Sequence, residues 1–276
     1  MMTTVFTTKL LAVIMSIYEQ DSQEKASSSI QSILKQSFQD FDFFIQLDGP
    51  IKQSVESYLN SLTDSRIHIF RREKNLGLAQ SLNDLLGIVL SHRYNYIARM
   101  DADDICFPER LETQIHYLEE HPEIECLGTW AIEITNAGEE FFRKQMPESH
   151  EECLKLFKKR DCMIHPTVMF RRSYFEKAGL YSTDTYFAED TMMWAQGFAA
   201  GCHFANVPEY LYYFRIDDNF FERRRGWKHA KNIFLLRCKV NRMLHFGIGS
   251  YIYAFAYAFT KLLPKPLLDL VYRIAR

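Results

Sequence analysis

One stretch constrains the fold more than any other. Residues 96–100 (Tyr-Ile-Ala-Arg-Met) are mostly apolar and run straight into Asp101, Asp103 and Asp104. Such a run fits a central strand covered on both faces. In an open α/β sheet, ligands sit just beyond the carboxyl ends of the strands. Acids packed there repel one another unless a cation intervenes, and hard oxygen ligands suit Mg²⁺ or Mn²⁺. The expectation is a metal–diphosphate site at Asp101, Asp103 and Asp104, with Asp101 and Asp103 the best candidates to hold the metal. An Asp-rich turn is also ordinary loop chemistry, and Asp104 could cap the helix that starts near Pro108. On these residues alone both readings stand.

The rest of the chain supplies the context. Residues 10–17 read as a first buried strand, followed by the loop Tyr18-Glu19-Gln20-Asp21 and a helix over about 22–36. Residues 43–47 read as a second strand closed by Asp48-Gly49-Pro50, expected to neighbour the strand of Asp101. A short strand over 66–70 precedes the turn Asn75-Leu76-Gly77 and a helix carrying Leu78, Leu82, Leu85, Leu86 and Val89. Alternating strands and helices predict a parallel sheet of βαβ units. Beyond Pro108, a helix runs to about 120, and residues 125–134 and 139–145 form an antiparallel pair about Asn136-Ala137-Gly138. A short helix over 151–158 follows, then a strand over 165–172 behind a His165-Pro166 corner. A helix opened by Phe187-Ala188-Glu189-Asp190 and a strand over 203–214 complete the pattern.

Charge divides the chain in two. Residues 215–276 hold 13 Lys+Arg against 4 Asp+Glu, a net of +9, which leaves 20 basic and 31 acidic residues, a net of −11, in 1–214. An acidic body with a basic tail implies two different partners. The six cysteines include no Cys-x-x-Cys pair, so neither a zinc knuckle nor a redox motif is indicated. With a polar start at 1–8 and no signal peptide, they are expected as reduced thiols in a cytoplasmic protein.

The order of Val13-Ile14-Met15-Ser16-Ile17-Tyr18, Asp48-Gly49, Asn75-Leu76-Gly77-Leu78-Ala79, Met100-Asp101-Ala102-Asp103-Asp104, His165-Pro166-Thr167-Val168-Met169-Phe170 and Glu189-Asp190 resembles family 2 glycosyltransferases. Within that family, it is most similar to the bacterial exopolysaccharide and O-antigen branch, the amylovoran-type enzymes. The resemblance implies a GT-A fold, a Rossmann-like mixed α/β sheet flanked by helices, here with a C-terminal helical extension. Its implied division is a nucleotide-sugar half over 1–106, an acceptor half over 107–214 and a tail over 215–276.

By the same resemblance, Ser16, Tyr18, Asp48, Arg72 and Asp101 belong to the donor site, which would take a nucleotide-diphosphate sugar, by family habit a UDP-sugar. Asp103 would be the direct ligand of Mn²⁺ or Mg²⁺. A Lewis acid there offsets the charge developing on the leaving diphosphate. Asp48 would meet the base, although a turn-forming Asp before Gly49 is an adequate alternative. Arg71, Arg72 and Lys74 could neutralise the diphosphate, or could simply be solvated. Arg99 shares a strand face with Asp101 and could pair with it. The resemblance makes Asp190 the catalytic base, with Glu189 beside it, and implies inversion at the anomeric carbon. The alternative for both acids is complementarity to a helix N-terminus. His165 is a candidate on the acceptor side or a corner-stabilising residue. Glu19 and Gln196 stand where the family has Asn and Arg, and the Gln/Arg-x-x-Arg-Trp signature of processive synthases is absent, which argues for single-sugar addition.

The tail is basic and aromatic. The run over 246–263 is interrupted by Lys261 and ends at Pro264-Lys265-Pro266, marginal against the ~20 residues a membrane span needs. An amphipathic piece follows over 267–276. The expectation is a tail on an anionic membrane surface, reaching a lipid-linked saccharide acceptor at the cytoplasmic face of a bacterial inner membrane. The alternative is a helical pair packed on the acidic body. No nucleic-acid motif accompanies the basic charge. A sugar-phosphate nucleotidyltransferase and a non-catalytic sugar-binding module are the competing functions.

Overall fold

Four parallel strands form one side of the sheet in the computed structural model, which describes residues 9–184, 188–216, 225–264 and 267. They are β1 (Leu11–Ile17), β2 (Phe41–Leu47), β3 (Ile67–Arg71) and β4 (Tyr96–Asp101), linked by α1 (Gln23–Leu34), α2 (Gln53–Asn60) and α3 (Leu78–Leu90). Their spatial order is β3-β2-β1-β4. Both faces of β1 and β2 are covered, so these strands read as continuous apolar runs rather than alternating ones. The register sets Ser16 of β1 opposite Gln46 of β2 and Asp101 of β4.

That order corrects one expectation: β1, not β2, neighbours β4. Asp48 therefore ends two strands away from Asp101, because the chain winds outward from β1 in one direction before crossing back over it. Helix α2 was not predicted. It is short, and only Val55 and Leu59 are buried, too few for a periodic signal.

The second half extends the same sheet. It contains β5 (Ile105–Cys106), α4 (Arg110–Glu120), β6 (Ile124–Ile134), β7 (Glu140–Lys144), α5 (His150–Phe157), a 3₁₀ turn (His165–Thr167), β8 (Met169–Arg171), α6 (Arg172–Ala178), α7 (Glu189–Ala199) and β9 (His203–Arg215). The order continues β4-β8-β6-β9-β5, with β7 on β6. Strand β8 runs antiparallel to β4 and β6, whereas β9 is parallel to β6. The β6–β7 pair is antiparallel, as the turn residues predict.

The predicted strand over 165–172 is cut at both ends. Pro166 sits in the 3₁₀ turn and Arg172 already starts α6. Helix α5 opens with a reciprocal cap between Ser149 and Glu152. Apolar side chains on the two sheet faces make two cores, one containing Val13, Phe43, Leu111 and Leu127, the other Ile14, Phe44, Phe170 and Trp194.

The tail forms α8 (Trp227–Met243) and α9 (Ile248–Thr260). Helix α8 buries Leu236, Arg237 and Val240 against the second core, so this helix packs on the body. No helix among the described residues is long and apolar enough to cross a membrane. Phe187, Arg223 and Arg224 of the basic run, and the piece over 268–276 lie outside the described residues. All six cysteines are unpaired, and all but Cys238 are buried.

Candidate active site

Parallel strands deliver their last residues to one edge, and that edge gathers the acids. Asp101, Asp103 and Asp104 each present a carboxylate oxygen, all within 4.8 Å of one another. The loop carrying them is pinned from several directions. Ser29 Oγ donates to the Asp101 carbonyl at 2.6 Å. The Arg215 backbone N–H donates to Asp104 Oδ1 at 2.7 Å, and Arg215 Nε donates to the Asp103 carbonyl at 2.9 Å. Asp104 does not cap α4: its N-cap is Glu109, with no side-chain cap bond. Asp104 instead fastens the loop to the end of β9, and its Oδ2 is buried without a hydrogen bond.

A fourth acid joins the cluster from the loop after β1. Asp21 accepts from the Tyr18 backbone N–H at 2.8 Å. Burial pushes its carboxyl up to about 7, opposed by the Tyr18 N–H and supported by the charges of Asp103 and Asp101. Burial, then the charge of Asp101, pushes Asp103 up to about 6, with Lys25 and Arg215 opposing. Asp104 is held well above the usual carboxylate range by burial and then by Asp103 and Asp101.

Crowded, poorly solvated carboxylates and an orphaned oxygen are what a divalent cation resolves. The donor set therefore fits Mn²⁺ or Mg²⁺. Asp21 escaped the sequence reading because it lies in a polar loop; its signal was position, just beyond the carboxyl end of β1.

The end of β2 is more tightly tied. Asp48 Oδ1 accepts from Arg72 Nε at 2.9 Å and from the Leu76 N–H at 2.8 Å, and Oδ2 accepts from the Gly77 N–H at 3.0 Å. The carboxylate thus closes the turn at 75–77, leaving Oδ2 with spare acceptor capacity. Gly49 is required here: its φ is +83°, and a Cβ would lie 2.7 Å from the Asn75 nitrogen. Arg72 also reaches Asp84 at 2.8 Å, and Arg71 pairs with Glu56 at 2.7 Å. These arginines organise the wall. Nearer the acids, Lys52 Nζ donates to the Gln20 and Asp21 carbonyls, and Lys25 Nζ donates to Asn136. Tyr18 is 36% exposed, so it is not consumed by the core. Lys74 is exposed.

Arg99 connects this cluster to the second group of candidates. It is 2% exposed and donates from Nη2 to Asp101 Oδ1 at 2.5 Å, whereas its Nε and Nη1 have no hydrogen-bond partner among the described residues. Burial works against its charge, but Asp101, then Tyr181, Tyr212 and Glu189, hold it protonated. Its field reaches Asp190 and His165 as well.

Asp190 and Glu189 are only half-buried, in the first turn of α7. Burial, then Asp161 and Glu189, push the Asp190 carboxyl up to about 7, while the Thr191 N–H and Arg99 oppose. Asp161 itself accepts from Thr191 Oγ1 at 2.9 Å and from Arg237 of α8 at 3.0 Å. His165 is buried, held by Tyr181 Oη at 2.9 Å and edge-on to Trp194; burial and then Arg99 depress its pKa well below 6.5. Asp161, Tyr181 and the tail residue Arg237 were not among the predicted site residues, since only the folded chain brings them together.

The model of glycosyl transferase family 2 matches residues 12–179. The chain is 30% identical over 265 residues to an amylovoran biosynthesis glycosyltransferase, AmsE, of Erwinia amylovora, covering 95% of this chain and 98% of that protein. It is 30% identical over 251 residues to an Escherichia coli UDP-Gal:alpha-D-GlcNAc-diphosphoundecaprenol beta-1,3-galactosyltransferase, covering 89% of this chain and 86% of the other. Among solved structures, a mannosyltransferase from Pyrobaculum calidifontis in complex with GDP-Man and Mn²⁺ superposes with a TM-score of 0.62 at 13% identity, over 97% of this chain and 79% of that one. At that identity, the likeness concerns the fold.

Proposed function

Because the chain belongs to glycosyltransferase family 2, we propose that it moves one sugar from a nucleotide-diphosphate sugar, a UDP-sugar, to a hydroxyl of a lipid-linked saccharide during surface polysaccharide synthesis, with inversion at the anomeric carbon. Membership decides against the nucleotidyltransferase and the non-catalytic module. The carrying observation is the set of three carboxylates, mutually within 4.8 Å, at the carboxyl edge of the sheet.

Asp101 and Asp103, with Asp104 behind them, would hold Mn²⁺ or Mg²⁺, which when bound supplies charge neutralisation to the departing diphosphate. The chain's own residues do the rest. Ser16, in register with Asp101, and Tyr18 line the ribose and base side. Asp48 offers Oδ2 to the base N–H, and Arg72 keeps the carboxylate aimed. Lys25, Lys52 and Arg215 surround the acids with positive charge where phosphate oxygens lie. Asp190 takes the proton of the acceptor hydroxyl as the new bond forms, and its raised pKa makes it a stronger base than an ordinary carboxylate. Glu189 orients the acceptor beside it.

The UDP-Gal donor and diphosphoundecaprenol acceptor named in the activity of the E. coli relative support that substrate pair. Unpaired cysteines agree with a cytoplasmic setting. The test is release of UDP from UDP-sugars, with Mn²⁺ and a lipid-diphosphate saccharide acceptor. Transfer should stop with a chelator and in Asp103→Asn. Undiminished transfer after exhaustive chelation would overturn the role given to the acid cluster.

A further inference from the structure

Helix α9 is turned inside out for a helix on a water-soluble surface. The residues it buries are small, Ala254 and Ala258, and these pack on α8. The large apolar residues are largely exposed, Ile248 77%, Ile252 66%, Phe255 65% (one edge against Phe234 of α8) and Phe259 57%, with Leu262 just beyond. Their spacing of four, three, four and three makes one continuous stripe along the helix. Trp227 and Leu235 of α8 add further exposed apolar surface. Monomeric proteins rarely expose a contiguous apolar patch larger than a few hundred Å² without using it.

Charge selects the occupant. From Trp227 to Pro264 the sequence contains no Asp or Glu, whereas Lys228, Lys231, Lys239 and Arg242 are exposed on α8. Two copies stacked through this face would bring like charges together. An anionic lipid surface offers both an apolar layer and a negative one. At about 1.5 Å per residue, α9 is also too short to cross a bilayer core of ~30 Å and suits a position in the interface plane.

We propose that the α9 stripe, flanked by the basic side chains of α8, docks the enzyme on an anionic membrane leaflet. The same hairpin is fixed to the acceptor side of the active site: the Gly226 N–H donates to the Lys261 carbonyl at 3.0 Å, closing the hairpin, and Arg237 grips Asp161, which holds Thr191 next to Asp190. Docking therefore sets the height and tilt of Asp190 relative to the leaflet. This deepens the reading of a lipid-linked acceptor and rests on it for its purpose, but the docking itself is measured without donor or acceptor.

The experiment is co-flotation of the full chain with vesicles of phosphatidylglycerol and phosphatidylcholine, and with phosphatidylcholine alone. The expected result is binding to the anionic vesicles that falls at least tenfold in Ile252→Gln/Phe259→Gln, with melting temperature and transfer to a soluble acceptor unchanged. Lys228→Glu/Lys231→Glu should weaken binding to anionic vesicles only. Full binding by both variants, or equal binding to neutral vesicles, would overturn the proposal. So would a stable dimer in solution, broken by Ile252→Gln/Phe259→Gln, in a protein that leaves vesicles unbound. Loss of transfer to the soluble acceptor by the wild type would count against the reaction and leave docking intact.

Discussion

Arg99 reaches forward along β4 to Asp101 and closes an ion pair at 2.5 Å, with the guanidinium 2% exposed. The pair connects the two groups of candidate acids, since the same guanidinium acts electrostatically on Glu189 and Asp190. Replacing Arg99 by Met removes a charge that favours ionised Asp190. The acid limb of the pH–kcat profile should move to higher pH, and Arg99→Lys should restore part of the shift. A profile unmoved in Arg99→Met would show that the two groups do not communicate through this side chain.

Asp190 carries a carboxyl raised to about 7. A base works when deprotonated, so kcat should fall as pH drops below about 7. Asp190→Asn should reduce kcat by roughly 10²–10⁴-fold and abolish that limb. Donor binding, followed by calorimetry with the UDP-sugar and Mn²⁺, should persist.

Protons and cation compete for the cluster around Asp103. Asp103 and Asp21 are raised to about 6 and about 7 from an ordinary 3.8. Their contribution to stability is therefore full below pH ~4 and is lost as pH rises through 6 to 7. Bound Mn²⁺ replaces the protons, so its stabilising effect should grow over the same interval. At 100 times the dissociation constant, it amounts to about 2.7 kcal/mol, several degrees in melting temperature. Thermal-shift curves at pH 5 and 7.5, with and without Mn²⁺, check the sign, and Asp103→Asn should flatten the difference.

Gly49 sits at φ +83° with the Asn75 backbone in the way of any Cβ. Gly49→Ala should destabilise the chain by about 1–3 kcal/mol in urea unfolding and loosen the turn that Asp48 closes. The KM for the donor should rise more than kcat falls, because the turn belongs to the side proposed to take the nucleotide.

How much of this could be read from the sequence follows from what each residue depends on. The strand over 96–101 and the acids behind it were legible, because an apolar run ending in carboxylates is a local pattern. The helix carrying Asp190 was legible for the same reason, although Phe187, expected to open it, lies outside the described residues. The place of β1 between β2 and β4 was not legible, since nothing in a strand's own residues states which neighbour it takes. For Asp104 the cap was one of two open readings, and sequence could not decide between them because its partner, the Arg215 N–H, is 111 residues away. Asp161 and Arg237 went unnoticed for a like reason: α8 must dock before they meet. Local chemistry was visible, and chemistry assembled by tertiary packing was not.

The clamp on the acid loop comes from β9, the last strand of the sheet. Tyr212 receives the Asp101 N–H at 3.4 Å, β5 pairs with β9, and Arg215 holds Asp103 and Asp104. A growing polypeptide thus has every carboxylate of the cluster long before it has the residues that set them. During synthesis the cation site should mature only after the ribosome has released residue 215. A fragment cut at residue 106, though it holds all four acids, should neither retain manganese nor recognise a nucleotide.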